Sequence, residues 1–312
     1  MPEADPRPRP TGAGTARIAP TAARAMRIIE LLAADPTGAL TLAELQRRLD
    51  YSHGNLHAIC TTLVALGYLR RDPDERGYRL GPALVTAGHA ARDAYPTVDA
   101  ALPHLTRLAD RFGTEAHAAG LVGGSILVVA RVGPVVARHG VHVGQRFPLT
   151  PPLGSTFLAW ATTVEVEAYL ASAAGTLSDA EIERCRLGMV GTRERGYSVH
   201  LEVESSRHLS VTAEAIRAGG SAPESDDELV PLAAELGRQG YMPTGLEAIH
   251  VGRLVQISAP VFGPDGRVTL SVGLVVVAAA DGPAAVTDAA AHAVAAAREV
   301  TDAIGGRPPG AA

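Results

Sequence analysis

The chain contains no lysine: all 28 of its basic side chains other than histidine are arginine. That reads as the bias of a GC-rich coding sequence, not as a function. Cysteine is nearly as scarce, and the two present, Cys60 and Cys185, make no disulfide framework. No apolar run reaches the roughly 18–20 residues of a membrane span. The stretch Leu270 to Ala280 is too short and suits a buried strand. Residues 1–20, rich in Pro, Arg and Ala, lack the apolar centre of a signal peptide and are expected to be a disordered tail. Phosphate loops and dinucleotide fingerprints are missing too, and no cofactor is expected. What remains is a chain for the cytoplasm. Its hydrophobic content of 46% argues for packed cores, and 312 residues suffice for two domains.

What is present is most informative between Thr41 and Leu80. Thr41-Leu-Ala-Glu44 is a capping box: the hydroxyl accepts from the Glu44 amide while the Glu44 carboxylate reaches back. The helix it opens carries Leu42, Leu45 and Leu49 on one face. Ser52 caps a second helix, with Leu56, Ile59, Cys60, Leu63 and Leu66 inward and Gly67 at its end. Tyr68–Arg71 and Gly77–Leu80 then flank a turn-rich Asp72–Arg76. An earlier helix, Ala22 to Ala34, should turn Met26, Ile29 and Leu32 inward. Helix, helix and hairpin in this order outline a winged helix-turn-helix, which places its second helix in the DNA major groove. Ser52, His53, Asn55, His57 and Thr61 would meet bases there, and Arg70, Arg71, Arg76 and Arg79 of the wing would meet phosphates. Charge asymmetry agrees in sign. Residues 1–95 hold twelve Arg against ten acids, and residues 96–312 hold sixteen against twenty-three.

The remainder reads as α+β. A linker helix is expected over 82–95 and an amphipathic helix over Val98–Phe112. Strands follow at Glu115–Val122 and Ser125–Val132, joined by a Gly123-Gly124 turn, with a further region to Phe147. Helices are expected at Phe157–Ala161, Val164–Ser172 and Ser178–Arg195. Late strands are expected at Leu254–Val261 and Arg267–Val277, and an Ala-rich helix from Thr287. Such an order suits an antiparallel sheet with helices packed on it. Enzymatic readings are weak. Gly154-Ser155-Thr156 opens a helix but lacks a nucleophile elbow, and no partner His or Asp can be assigned. His139 and His142 lie three apart, on opposite faces of a strand, with no third ligand. His117, on an apolar strand, suits a satisfied core histidine and a ligand contact equally.

Several of these residues together resemble the IclR family of bacterial transcription regulators, over roughly residues 22 to 304. They are Ser52, His57, Thr62-Leu63 and Gly67-Tyr68 of the recognition helix. Arg70-Arg71-Asp72-Pro73 and Tyr78-Arg79-Leu80-Gly81 form the wing. Farther on come Gly113-Thr114-Glu115-Ala116-His117, Arg195-Gly196-Tyr197 and Ile257-Ser258-Ala259-Pro260-Val261, reaching Gly266. The resemblance implies a GAF-like effector domain. Its ligand would lie between the Gly154, Ser155, Thr156 loop and the late sheet at Glu247, Gln256, Ser258, Gly273 and Val275. It also implies a homodimer or tetramer on a pseudo-palindromic double-stranded operator, as repressor or activator. Two departures matter. His53-Gly54-Asn55 stands where the family often has Lys-Ser-Thr, which removes a phosphate contact. Residues 200–245 look like an insertion, with a capping box at Ser225-Asp226-Asp227-Glu228. Gly273 and Val275 replace residues that are often Ser in members binding small carboxylates, so a larger, less polar effector is expected.

The organisation expected is thus a tail at 1–20, a winged helix-turn-helix at 21–81, a linker helix at 82–97, an effector domain at 98–305 and a tail at 306–312. The leading function is a DNA-binding regulator controlled by a small molecule. The alternative is a ligand-binding or protein-interaction module whose DNA head no longer reads sequence.

Overall fold

The computed structural model describes residues 19–72, 77–134, 140–219, 226–243, 245–246, 254–277 and 283–309. Its N-terminal unit is built from α1 (Pro20–Ala34), α2 (Leu42–Leu49), α3 (His53–Ala65) and a hairpin of β1 (Leu69–Arg71) with β2 (Tyr78–Leu80). The capping box at Thr41 forms in full, with Glu44 accepting from the Thr41 amide at 2.8 Å. Apolar residues at helical spacing then close one small core, in which Ile28, Leu31, Leu45, Leu56 and Cys60 are buried under Leu69 and Tyr78. Burial pushes the Cys60 thiol up to about 11, so it packs as a neutral group. Two expected core residues are outside it: Met26 is 51% exposed and Leu66 is 61% exposed. Ile28 and Leu31 take the inward positions on α1, and the chain leaves the helical face as it turns at Leu66–Gly67.

The helix α4 (Ala83–Ala94) buries none of its residues. It runs into α5 (Pro96–Phe112), whose Leu105, Leu108 and Ala109 enter the main core. Next come β3 (Ala116–Val122), β4 (Ser125–Val132), β5 (Arg146–Pro148), the single turn α6 (Ser155–Leu158), α7 (Thr163–Ala171) and α8 (Asp179–Arg195). Then follow β6 (Ser198–Leu201), α9 (Glu204–Gly219), α10 (Asp226–Arg238), β7 (Leu254–Phe262), β8 (Val268–Val277) and α11 (Pro283–Ala303). Six strands make one antiparallel sheet in the order β5-β4-β3-β8-β7-β6. Gly123 and Gly124 both take positive φ, as a type I′ hairpin turn requires.

Strand alternation sorts the sheet into two faces. Val255, Ile257, Ala259 and Val261 of β7, with Leu270, Val272 and Leu274 of β8, pack on α5 and α11. The opposite face carries Gln256, Ser258, Ser271 and His117, yet α6, α9 and α10 lie over it. A polar sheet face would ordinarily meet water. Here most of it is sealed, so its polar atoms need partners from protein or ligand. The helix α9 was not foreseen. It packs with α10 through Leu209, Ala213, Leu229 and Ala233, and it also touches α1 of the N-terminal unit. The capping box expected at Ser225 lies outside the described residues.

Candidate functional site

Two surfaces carry chemistry. The first is the exposed edge of α3. Ser52, His53, His57 and Thr61 are exposed together and Asn55 is half-buried. Ser52 occupies the N-cap position, but its side chain makes no capping hydrogen bond. Around Gly54 a Cβ would meet nothing within 4 Å, so the first turn of α3 is open to close approach. Arg70 and Arg71 are exposed on the wing, with Arg71 over the ring of Tyr78. Arg79 is engaged differently. Its Nε donates to Asp72 at 2.6 Å and its Nη1 donates to the Thr37 carbonyl, which ties the wing to the α1–α2 turn. Arg76 lies outside the described residues.

The second is a cavity of about 160 Å³ between the polar sheet face and the α6, α9 and α10 layer. Its apolar walls include Ala119, Ile126, Val128, Phe147, Phe157 and Leu236. Its polar lining begins at His117, whose Nε2 faces the Gln256 amide nitrogen at 3.3 Å. Beside it, the Thr156 hydroxyl meets Ser198 Oγ at 2.5 Å, and Ser198 donates to the Ser258 carbonyl at 3.3 Å. His200 Nε2 lies 3.3 Å from Ser155 Oγ, and its ring stacks on Tyr241 with centroids 4.7 Å apart. Burial holds both imidazoles down at about 4, with Arg131 adding to the shift at His117 and Arg195 at His200, so both are neutral near pH 7. The Nδ1 atoms of His117 and His200 are buried, with no hydrogen bond to any of the described residues. Glu115, 1% exposed, accepts from the Val141 amide at 3.3 Å and pairs with Arg131 at 3.4 Å. At the rim Arg207 donates to Glu202 at 3.1 Å. Among the described residues, no group of three or more His, Cys, Asp or Glu is placed to hold a metal. His139, weighed as a ligand, lies outside those residues.

Comparison with known proteins agrees with this architecture. Residues 21–73 match the IclR helix-turn-helix domain, and residues 89–222 match the bacterial transcriptional regulator IclR C-terminal domain. The chain belongs to the IclR family. It is a transcription regulator with an N-terminal DNA-binding head and a C-terminal effector-binding domain. Its relatives include the HTH-type transcriptional regulator XynR of Escherichia coli strain K12, 28% identical over 187 residues, which are 57% of this chain and 73% of that protein. The Pca regulon regulatory protein of Pseudomonas putida is 32% identical over 137 residues, 43% of this chain and 46% of that one. Among solved structures, an IclR regulator from Alicyclobacillus acidocaldarius shares the fold with a TM-score of 0.63 at 21% identity, covering 93% of this chain and all of that one. An IclR homologue of Microbacterium hydrocarbonoxydans, crystallised with 4-hydroxybenzoate, has a TM-score of 0.61 at 19% identity, over 91% of this chain and 98% of that one.

Within this IclR-family chain, the expected effector residues divide. Gly154, Thr156, Gln256, Ser258 and Val275 line the cavity. Ser155 is buried behind it, bonded to His200. Gly273 does not open space: a Cβ there would lie 2.2 Å from His117 Nε2, so the imidazole already fills the position. Glu247 lies outside the described residues. Apolar side chains make most of the lining, with His117, His200, Gln256 and Tyr241 among its polar points, and 160 Å³ is the scale of one ring. The mostly apolar lining suits a less polar effector, and the volume suits one smaller than expected. Sequence reading also missed Glu115, His200, Arg207 and Tyr241. Three of these come from the 200–245 segment. The signal for Glu115 was available: a carboxylate two residues before a histidine, at the start of a strand that is otherwise apolar.

Proposed function

We propose that the chain is a homodimeric or tetrameric regulator on a pseudo-palindromic operator, and that the cavity under α9 is its effector site. The observation that carries the effector reading is the pair of buried His117 and His200 ring nitrogens, unpartnered among the described residues, in a lined space of about 160 Å³. Buried polar atoms are nearly always hydrogen-bonded, and a bound small molecule supplies what the protein leaves out. The volume matches one ring or a short chain, and the relative holding 4-hydroxybenzoate is consistent with that size. The route to DNA is α9. Ser206, Arg207 and Ser210 line the cavity from it, Gln145 donates to its Ser210 carbonyl at 2.9 Å, and it touches α1. A ligand that prefers one position of α9 shifts the population of head arrangements.

Two further features support this reading. A twelve-residue helix with no buried residue, α4, carries Val85 61% exposed and gains a partner face in a second copy. The Ser155–His200 bond does not make a nucleophile: among the described residues no carboxylate accepts from His200 Nδ1, and Ser155 is set back from the cavity. The chain is thus read as acting by binding. No described helix is long and apolar enough to cross a membrane, and the cytoplasm is the proposed location. A gel shift on the DNA flanking its own gene, with and without millimolar 4-hydroxybenzoate or 4-hydroxybenzamide, tests the reading. A specific shift altered by either compound supports it. A protein that binds no operator and takes up neither compound contradicts it.

A further inference from the structure

We infer that the effector of this cavity is an uncharged molecule, one ring or a short chain carrying a carbonyl, amide or hydroxyl, and not a carboxylate. The inference rests on the cavity being the effector site and goes on to name the chemistry of its ligand.

The charges that line the space decide it. Among the described residues two carboxylates, Glu115 and Glu202, and one guanidinium, Arg207, border the cavity. Arg207 is already held by Glu202. Arg131 approaches from behind Glu115 and is paired with it. The two acids are each matched by an arginine, so an entering carboxylate would meet a lining of balanced charge in which no cation among these residues is free of an ion pair. Burying an anion without a partner is costly in a low-dielectric site.

The imidazoles could in principle become that partner by taking up a proton. Each is held at about 4. Protonating one at pH 7 therefore costs about a thousandfold in affinity. Arg131 facing His117 and Arg195 facing His200 oppose it, Glu115 and Glu202 favour it, and Tyr241 against His200 is neutral. An uncharged ligand has no need of that proton. The Gln256 amide nitrogen only donates, so His117 Nε2 accepts from it and the ring proton sits on Nδ1. That leaves a buried N–H seeking an acceptor, which a neutral carbonyl or hydroxyl oxygen satisfies without bringing charge.

The test is isothermal titration calorimetry of matched pairs on the full chain: benzoate with benzamide, 4-hydroxybenzoate with 4-hydroxybenzamide, butyrate with butyramide. In a pair that binds, the amide is expected to be at least about tenfold tighter at pH 7. Its affinity should stay within about twofold between pH 6 and 8, where neither imidazole titrates. Glu115→Gln should narrow or reverse the preference by leaving Arg131 uncompensated. Because a buried substitution can unfold the domain, Glu202→Gln at the rim makes the same change by releasing Arg207. An acid that binds as tightly as its amide overturns the inference and leaves the cavity as the effector site. Failure of every pair to bind, or binding that His117→Ala leaves unaltered, overturns the effector site and the inference together.

Discussion

The imidazole of His117 lies directly over Gly273: a methyl group on that glycine would come within 2.2 Å of Nε2. The two residues are cross-strand partners in β3 and β8, so the imidazole and the glycine share one packing position. The absence of a side chain at Gly273 is what allows a histidine onto the polar face of the sheet beside Gln256.

Gly273→Ser is therefore expected to lose about 1–3 kcal/mol of stability through overpacking. It should not simply restore a hydroxyl to the cavity. His117→Ala alone costs stability by removing a buried ring, but in combination with Gly273→Ser much of the loss should return. Denaturant unfolding of the two single variants and the double variant measures this coupling, and strict additivity would remove the packing argument.

Acid should unfold the effector domain through the same histidines. Their pKa values are lowered on folding from 6.5 to about 4, so the unfolded chain binds more protons between those limits. Stability is then full above about pH 6.5, falls on acidification towards pH 4, and levels off below that. Each histidine accounts for a loss on the order of 3 kcal/mol across the window. Melting temperatures of His117→Gln and His200→Gln between pH 4 and 7 should show a flatter dependence than those of the parent.

On the head, Gly54→Ala meets open space and replaces the poorest non-proline helix former, so it should keep or raise stability by up to about 1 kcal/mol. If α3 enters the major groove, the same change lowers operator affinity. Asn55→Ala or His57→Ala should relax base preference at a cost of about 1–3 kcal/mol. Arg70→Ala or Arg71→Ala should weaken all duplexes alike and reduce the salt slope by about 1. Arg79→Ala is expected to act through the fold, since its guanidinium ties Asp72 to Thr37. Fluorescence anisotropy against salt, with thermal unfolding in parallel, separates these effects.

Val85→Asp places a charge on α4, which buries none of its residues within one chain. If α4 pairs with a second copy, sedimentation should show a shift towards monomer and operator affinity should drop. An unchanged oligomer would move the interface elsewhere.

The DNA head was legible because its signals are local. A capping box, leucines at helical spacing and a turn-rich hairpin need no distant partner to be read, and the helices end within a few residues of where those signals fall. The central sheet was legible from alternation in Val255–Val261 and Leu270–Val276. The cavity was less so, because it depends on which layer covers the polar face. Nothing local in Glu202–Ser210 says that α9 folds back over His117 and Gln256. Likewise Gly273 read as a missing hydroxyl, since the histidine that fills its place is 156 positions away in sequence. The departure at His53-Gly54-Asn55 was visible, and its consequence for base preference is a property of the complex with DNA.

The most direct test of a DNA-reading regulator is selection of duplexes from a random pool by the purified full-length chain. The expected result is an enriched sequence with two inverted half-sites about one helical turn, or a multiple of it, apart, bound at least about a thousandfold more tightly than random duplex. No enriched sequence, with the same salt-dependent affinity for every duplex, would contradict it and leave the head as a module that no longer reads bases.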